Sequence, residues 1–170
     1  MIISLMGFMA SGKSSIGRIL AGKLKLNFID LDVFIEGKEG RSIKEIFEKE
    51  GESYFRKIES THLDWIVSNH QNLVLALGGG TPSQENNWMT INKTNSIYLH
   101  KTNDQLFERL HSRKLKRPLI ANLSDIELKE FIEQRMIVRS PFYKKAKTVV
   151  DVTESKKKMA DQIVTLLNQS

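Results

Sequence analysis

Gly7, Gly12, Lys13 and Ser14 stand at the spacing Gly-x-x-x-x-Gly-Lys-Ser, directly behind the apolar run Ile-Ile-Ser-Leu-Met at 2–6. Glycines at these positions let a backbone turn tightly and aim successive N–H groups at a polyanion. A helix opening near Lys13 adds the positive end of its dipole. Lys13 can then reach β- and γ-phosphates, and Ser14 can ligate Mg²⁺ through its hydroxyl. A strand before and a helix after are the context that this phosphate-binding P-loop pattern requires. Ala10, Ser11 and Ser15 belong to the same nucleotide-binding stretch. The pattern predicts a nucleoside triphosphate site and leaves open what accepts the phosphoryl group.

Four further groups could answer that. Asp30-Leu31-Asp32 follows the short apolar run Asn27-Phe28-Ile29, so both carboxylates reach a strand's carboxyl end, the edge of an α/β sheet where ligands bind. One can hold metal-bound water and the other can accept a proton from a substrate hydroxyl; the alternative is that they cap the following helix. Gly78-Gly79-Gly80 loses much backbone entropy on folding, which favours a ligand held closely by main-chain N–H groups over plain turn chemistry. Arg56 and Arg139 carry planar forks suited to a carboxylate, with Glu59 placed to orient Arg56. Arg117 lies in a stretch without periodicity at about 113–124, of suitable length for a lid that brings positive charge to the γ-phosphoryl and excludes water.

The elements that must position these groups follow from periodicity. Strands are expected at 2–6, 27–29, 73–77, 96–99 and 148–152, and the third ends in the triple glycine. Helices are expected at about 13–25, 33–39, 52–69, 104–113 and 125–139, with a last one bearing Met159, Ile163, Leu166 and Leu167. Ser42-Ile43-Lys44-Glu45 reads as a capping box opening another helix, and Gly51 breaks it. Strands alternating with helices make an α/β fold, a five-stranded parallel sheet covered on both faces, in one domain over 1–170.

The bulk numbers restrict the class. The 170 residues are 40% hydrophobic and 27% charged, which suits one domain with a real core. Cysteines are absent, so thiolate metal sites are excluded and a reducing compartment is permitted. No leader-like stretch precedes the first strand and no apolar run reaches membrane-spanning length, so a cytoplasmic protein is expected. The net charge of +6 gathers at 113–117, 144–147 and 156–158, without a recognition motif or interleaved aromatics. A solvated surface and a pocket for anionic ligands explain it better than nucleic acid. The four histidines lack ligand spacing, and Asn92-Lys93-Thr94-Asn95 lacks the aspartate of a guanine-reading motif.

Taken in order, 7–14, Asp30-Leu31-Asp32, Phe55-Arg56-Lys57-Ile58-Glu59, Gly78-Gly79-Gly80, Arg117-Pro118-Leu119 and Arg139-Ser140-Pro141-Phe142-Tyr143 resemble the shikimate kinase family, small P-loop kinases akin to nucleoside monophosphate kinases. The resemblance implies a strand order 2-3-1-4-5 and transfer of the ATP γ-phosphoryl to the 3-hydroxyl of shikimate, in aromatic amino-acid biosynthesis. It implies that Asp32 contacts the substrate hydroxyls as base and that Arg56 and Arg139 bind the carboxylate. Gly79 and its neighbours would contact the ring hydroxyls through backbone, and helices at about 32–60 would bind the acceptor. By the same likeness Asp30 supports Mg²⁺ through water beside Ser14, and Arg117 is the lid arginine. Arg109 and the segment 152–155, including Thr153, form the adenine end. A monomer binding shikimate and ATP, and neither nucleic acid nor membrane, is expected. Three departures stand out: Ala10 where glycine is frequent, Leu77 where Thr or Ser is common, and Thr153 where a basic residue is usual, with Lys156 as substitute. The rivals are another small-molecule kinase, such as a gluconate kinase, and a silent nucleotide-binding paralogue.

Overall fold

In the computed structural model, residues 1–112, 114 and 119–169 are described. Five parallel strands, β1 (Ile2–Met6), β2 (Asn27–Asp30), β3 (Leu73–Ala76), β4 (Asn95–His100) and β5 (Thr148–Asp151), form one sheet. Its order is β2-β3-β1-β4-β5, with β1 central and paired Ile2 to Leu73 on one side and Ile3 to Asn95 on the other. The side chains of β1, β3 and β4 alternate between two cores, as the two-residue period of a strand demands. Ile3, Leu5, Val74, Ile97 and Leu99 pack toward α1 (Lys13–Leu24) and α7 (Lys156–Asn168). Met6, Leu73, Leu75 and Tyr98 pack on the other face toward α2 (Leu31–Glu39), α3 (Ile43–Asn69), α5 (Asn103–His111) and α6 (Asp125–Tyr143). This is the predicted α/β sheet in the predicted order.

Element boundaries moved in two informative places, the start of α2 and the end of α6. Helix α2 starts at Leu31 rather than 33, because Asp30 serves as its N-cap and accepts from the Asp32 N–H at 3.2 Å. Asp32 is therefore a first-turn helical residue. Gly51 is confirmed as a break: it sits at φ 82°, ψ 174° inside α3 and bends one long helix into two arms. The expected capping box at its start is formed in full by Ser42 and Glu45. Helix α6 runs past the expected end at 139 to Tyr143, with Pro141 inside it. Pro141 is exposed and sits in the last turn, where the missing N–H frees a carbonyl that water can satisfy. The polar stretch after the triple glycine is two 3₁₀ turns (Thr81–Ser83, Glu85–Asn87) and the one-turn helix α4 (Trp88–Ile91). Among the described residues no helix is long and apolar enough to cross a membrane.

Candidate active site

The loop between β1 and α1 is shaped by packing as well as by pattern. Gly7 takes φ 145°, and a Cβ there would lie 2.8 Å from the Leu99 carbonyl oxygen, so β4 leaves room for glycine alone. Ala10 is held in the left-handed region at φ 65°, a conformation that costs a residue with a Cβ about 1 kcal/mol. Alanine at a position where glycine is frequent thus leaves a small strain in the phosphate loop. Ser11 is buried and its hydroxyl lacks a hydrogen-bond partner among the described residues. Helices α2, α3, α5, α6 and α7 each have a side-chain N-cap, whereas α1 has neither a cap nor an acidic residue in its first turn. Its leading N–H groups are left to an anion.

Lys13 folds back over this loop, its Nζ donating to the carbonyls of Gly7 at 2.8 Å and Phe8 at 3.1 Å. The Ser14 hydroxyl donates to Asp30 Oδ2 at 2.5 Å. A hydroxyl and a carboxylate in contact form an all-oxygen donor pair, which fits Mg²⁺ bound through few protein ligands, water and phosphate oxygens. No cluster of three or more His, Cys, Asp or Glu suited to a metal occurs among the described residues. A cavity of about 320 Å³ joins Ala10, Gly12, Lys13, Ser14, Ser15, Asp30, Asp32, Gly79 and Arg109. Phosphate loop, carboxylates and Gly79 thus share one mouth.

The acceptor side is organised by Gly78, Gly79 and Gly80, each of which leaves space for a different functional side chain. A Cβ on Gly78 would meet Asp32 Oδ1 at 2.8 Å, one on Gly79 would meet Arg139 Nη1 at 3.2 Å, and one on Gly80 would meet Arg56 Nη2 at 2.5 Å. The three candidate acceptor-binding side chains therefore converge on consecutive residues beside the phosphate loop. Close approach was expected, but of a ligand to N–H groups. The structure adds a second reason for the glycines, since the protein's own side chains fill the Cβ positions.

Burial pushes the Asp32 carboxyl up from 3.8 to about 6, and the nearby Asp30 charge adds to this while Lys13 opposes it. Arg56 donates to Glu59 at 2.8 Å and to Glu52 at 3.1 Å. Burial works against its charge, but these two carboxylates outweigh it and hold it more basic than usual. Glu59 is only 1% exposed and also accepts from the Thr81 hydroxyl at 2.6 Å, which ties α3 to the glycine loop. Arg139 is the opposite case. Burial, with the Arg135 and Arg56 charges, makes it less basic than usual, and it has no carboxylate partner among the described residues. A half-buried guanidinium in that state favours an incoming anion.

Two predicted residues stand apart. Thr153 is exposed beyond β5 and does not line the cavity, and its N–H is used by Asp151 O at 3.1 Å. Arg117 and part of the expected lid lie outside the described residues. Two contributors went unread in the sequence. Lys101, 8% exposed at the end of β4, donates to the Val152 carbonyl at 2.7 Å and faces the Arg109 charge. Tyr143, fully buried, donates to Gly79 O at 2.5 Å. A buried lysine is visible only in three dimensions, while the four-residue spacing of Arg139 and Tyr143 was a usable signal. A second cavity of about 490 Å³ lies on the outer side of Arg56, lined also by Lys57, Ser60, Asp64 and Gln84.

Comparison with known proteins agrees with this geometry. The family model described as shikimate kinase matches residues 9–168. A shikimate kinase of Flavobacterium johnsoniae is 42% identical over 152 residues, covering 88% of each chain. The crystal structure of shikimate kinase from Bacteroides thetaiotaomicron superposes with a TM-score of 0.92 at 32% identity, covering 98% of both chains. Shikimate kinase from Acinetobacter baumannii in complex with shikimate gives 0.89 at 32% identity, covering 99% of this chain and 93% of that one.

Proposed function

The chain belongs to the shikimate kinase family, and we propose that it transfers the γ-phosphoryl of ATP to the 3-hydroxyl of shikimate, yielding shikimate 3-phosphate and ADP. The carrying observation is the seating of Asp32, Arg139 and Arg56 on three consecutive glycines, of which Gly79 lines the phosphate-loop cavity together with Asp32. That places an acid and two guanidinium groups opposite a triphosphate cradle.

The chemistry is division of labour by charge. Arg139 and Arg56 bind the acceptor carboxylate with their planar forks, Glu59 holding the second in place. With the acid end fixed, a ring hydroxyl lies toward Asp32, whose carboxylate is mostly ionised at neutral pH and accepts the hydroxyl proton. The oxygen forms its bond to the γ-phosphorus as the bond to the β,γ-bridging oxygen breaks, and that electron pair leaves on ADP. Lys13 shifts from the loop carbonyls to the phosphates, and the uncapped start of α1 receives the β-phosphate. Ser14, with Asp30 behind it, would hold Mg²⁺, which when bound neutralises charge on the phosphate oxygens. Holding both reactants in line accounts for much of the rate. Arg109 borders the cavity at the adenine end. The whole chain acts as one kinase domain, a cytoplasmic monomer working where ATP is supplied.

The test is ADP release in a coupled assay with and without shikimate, and with gluconate as control. Release that requires shikimate supports the reading. Release indifferent to it, or none despite nucleotide binding, overturns it.

A further inference from the structure

We propose that Tyr143 is a positioning residue for acceptor binding, its hydroxyl locking the Arg139 guanidinium to the main chain of Gly79; this rests on the shikimate kinase reading above. Arg139 and Tyr143 are four residues apart in α6, so they lie one above the other on the same face. The Tyr143 hydroxyl donates to the Gly79 carbonyl at 2.5 Å, and the Arg139 guanidinium lies against the same residue. Its single donor is thus spent on the glycine loop, which leaves its lone pairs for the neighbouring guanidinium. Arg139 flanks Gly79 from the side, at 3.2 Å from where a Cβ would be. Helix and glycine loop are therefore joined through one oxygen.

That oxygen is itself held firmly. The Tyr143 ring is fully buried and packs on Tyr98 with centroids 5.1 Å apart. Burial pushes the Tyr143 phenol upward, so it keeps its proton and remains a donor at any working pH. Arg139 has no carboxylate among the described residues to hold its fork, and Phe8 offers only a ring face at 5.7 Å. The phenol is the neutral group that orients this guanidinium without cancelling its charge. A carboxylate in the same place would compete with the substrate acid; a hydroxyl does not.

The experiment compares wild type, Tyr143→Phe, Arg139→Lys and the double variant. Tyr143→Phe removes one buried oxygen and keeps the ring, and thermal melting checks that the fold is retained. The KM for shikimate should rise about tenfold, the loss of one hydrogen bond to a charged group, while the KM for ATP stays within twofold. Because Tyr143 acts through Arg139, adding Tyr143→Phe to Arg139→Lys should change the shikimate KM by less than about twofold. Equal effects on both substrates, no effect on either, or the same tenfold loss in the lysine background would overturn the assignment. If wild type releases no ADP in response to shikimate, the function itself is refuted. A responsive wild type whose variants show no such split refutes the Tyr143 role alone.

Discussion

Asp32→Asn should make the protein more stable while removing its turnover. The Asp32 carboxyl is raised from 3.8 to about 6 by burial and by its acidic neighbours, so folding favours the neutral form. A group raised in this way contributes its full stability below the unfolded pKa and loses it as pH climbs through the folded one. At ~1.4 kcal/mol for each pH unit, the ionised side chain costs the fold ~3 kcal/mol above neutrality. Solvent screening of a partly exposed group reduces this to about 1–3 kcal/mol. Asparagine keeps the shape without the charge, and for a chain of this size the gain amounts to roughly 2–10 °C in Tm. The pH dependence is the sharper signature. Melting curves of wild type and variant should nearly coincide at pH 4, separate between pH 4 and 6, and stay apart at pH 7.5. The phosphoryl-transfer rate of wild type should fall about tenfold per pH unit below about pH 6, as the base is protonated. A variant whose advantage over wild type is no larger at pH 7.5 than at pH 4 would refute the burial argument, and near-normal turnover would remove Asp32 from the base role.

Arg139→Ala should raise the KM for shikimate at least about tenfold and leave that for ATP nearly unchanged, since a charge-assisted contact is worth about 1.5–3 kcal/mol; steady-state kinetics in both substrates check this. Gly80→Ala places a methyl group 2.5 Å from Arg56 Nη2 at an ordinary φ of −99°, so the flexible guanidinium should yield. Shikimate binding should then weaken about tenfold with a stability loss under ~1 kcal/mol, measured by calorimetry and melting. Ala10→Gly releases the left-handed strain and should stabilise the protein by about 0.5–1 kcal/mol, read from the urea midpoint.

Local chemistry carried most of what was legible. The phosphate loop, the Ser42–Glu45 box and the Gly51 break each depend on a few adjacent residues, and all three formed where expected. Strand order came from resemblance, because pairing β1 with β3 and β4 is a long-range choice that periodicity does not encode. The convergence of Asp32, Arg56 and Arg139 was guessed from residue types, but its geometry depends on helices brought together only by the core. Helix α6 was expected only to 139, where its apolar periodicity fades, and beyond that end lay the face that pairs Arg139 with Tyr143. Lys101 gave no signal at all, for its partner is a backbone carbonyl 51 residues away.

The glycine triplet has an implication for altering acceptor preference. Asp32 is carried by α2, Arg56 by α3 and Arg139 by α6, and each rests on its own residue of 78–80. The loop behaves as a gauge block against which three separate helices are set. Exchanging any one contact residue leaves the other two settings in force, so admitting a longer or differently shaped acid demands that a whole helix be re-seated on the sheet.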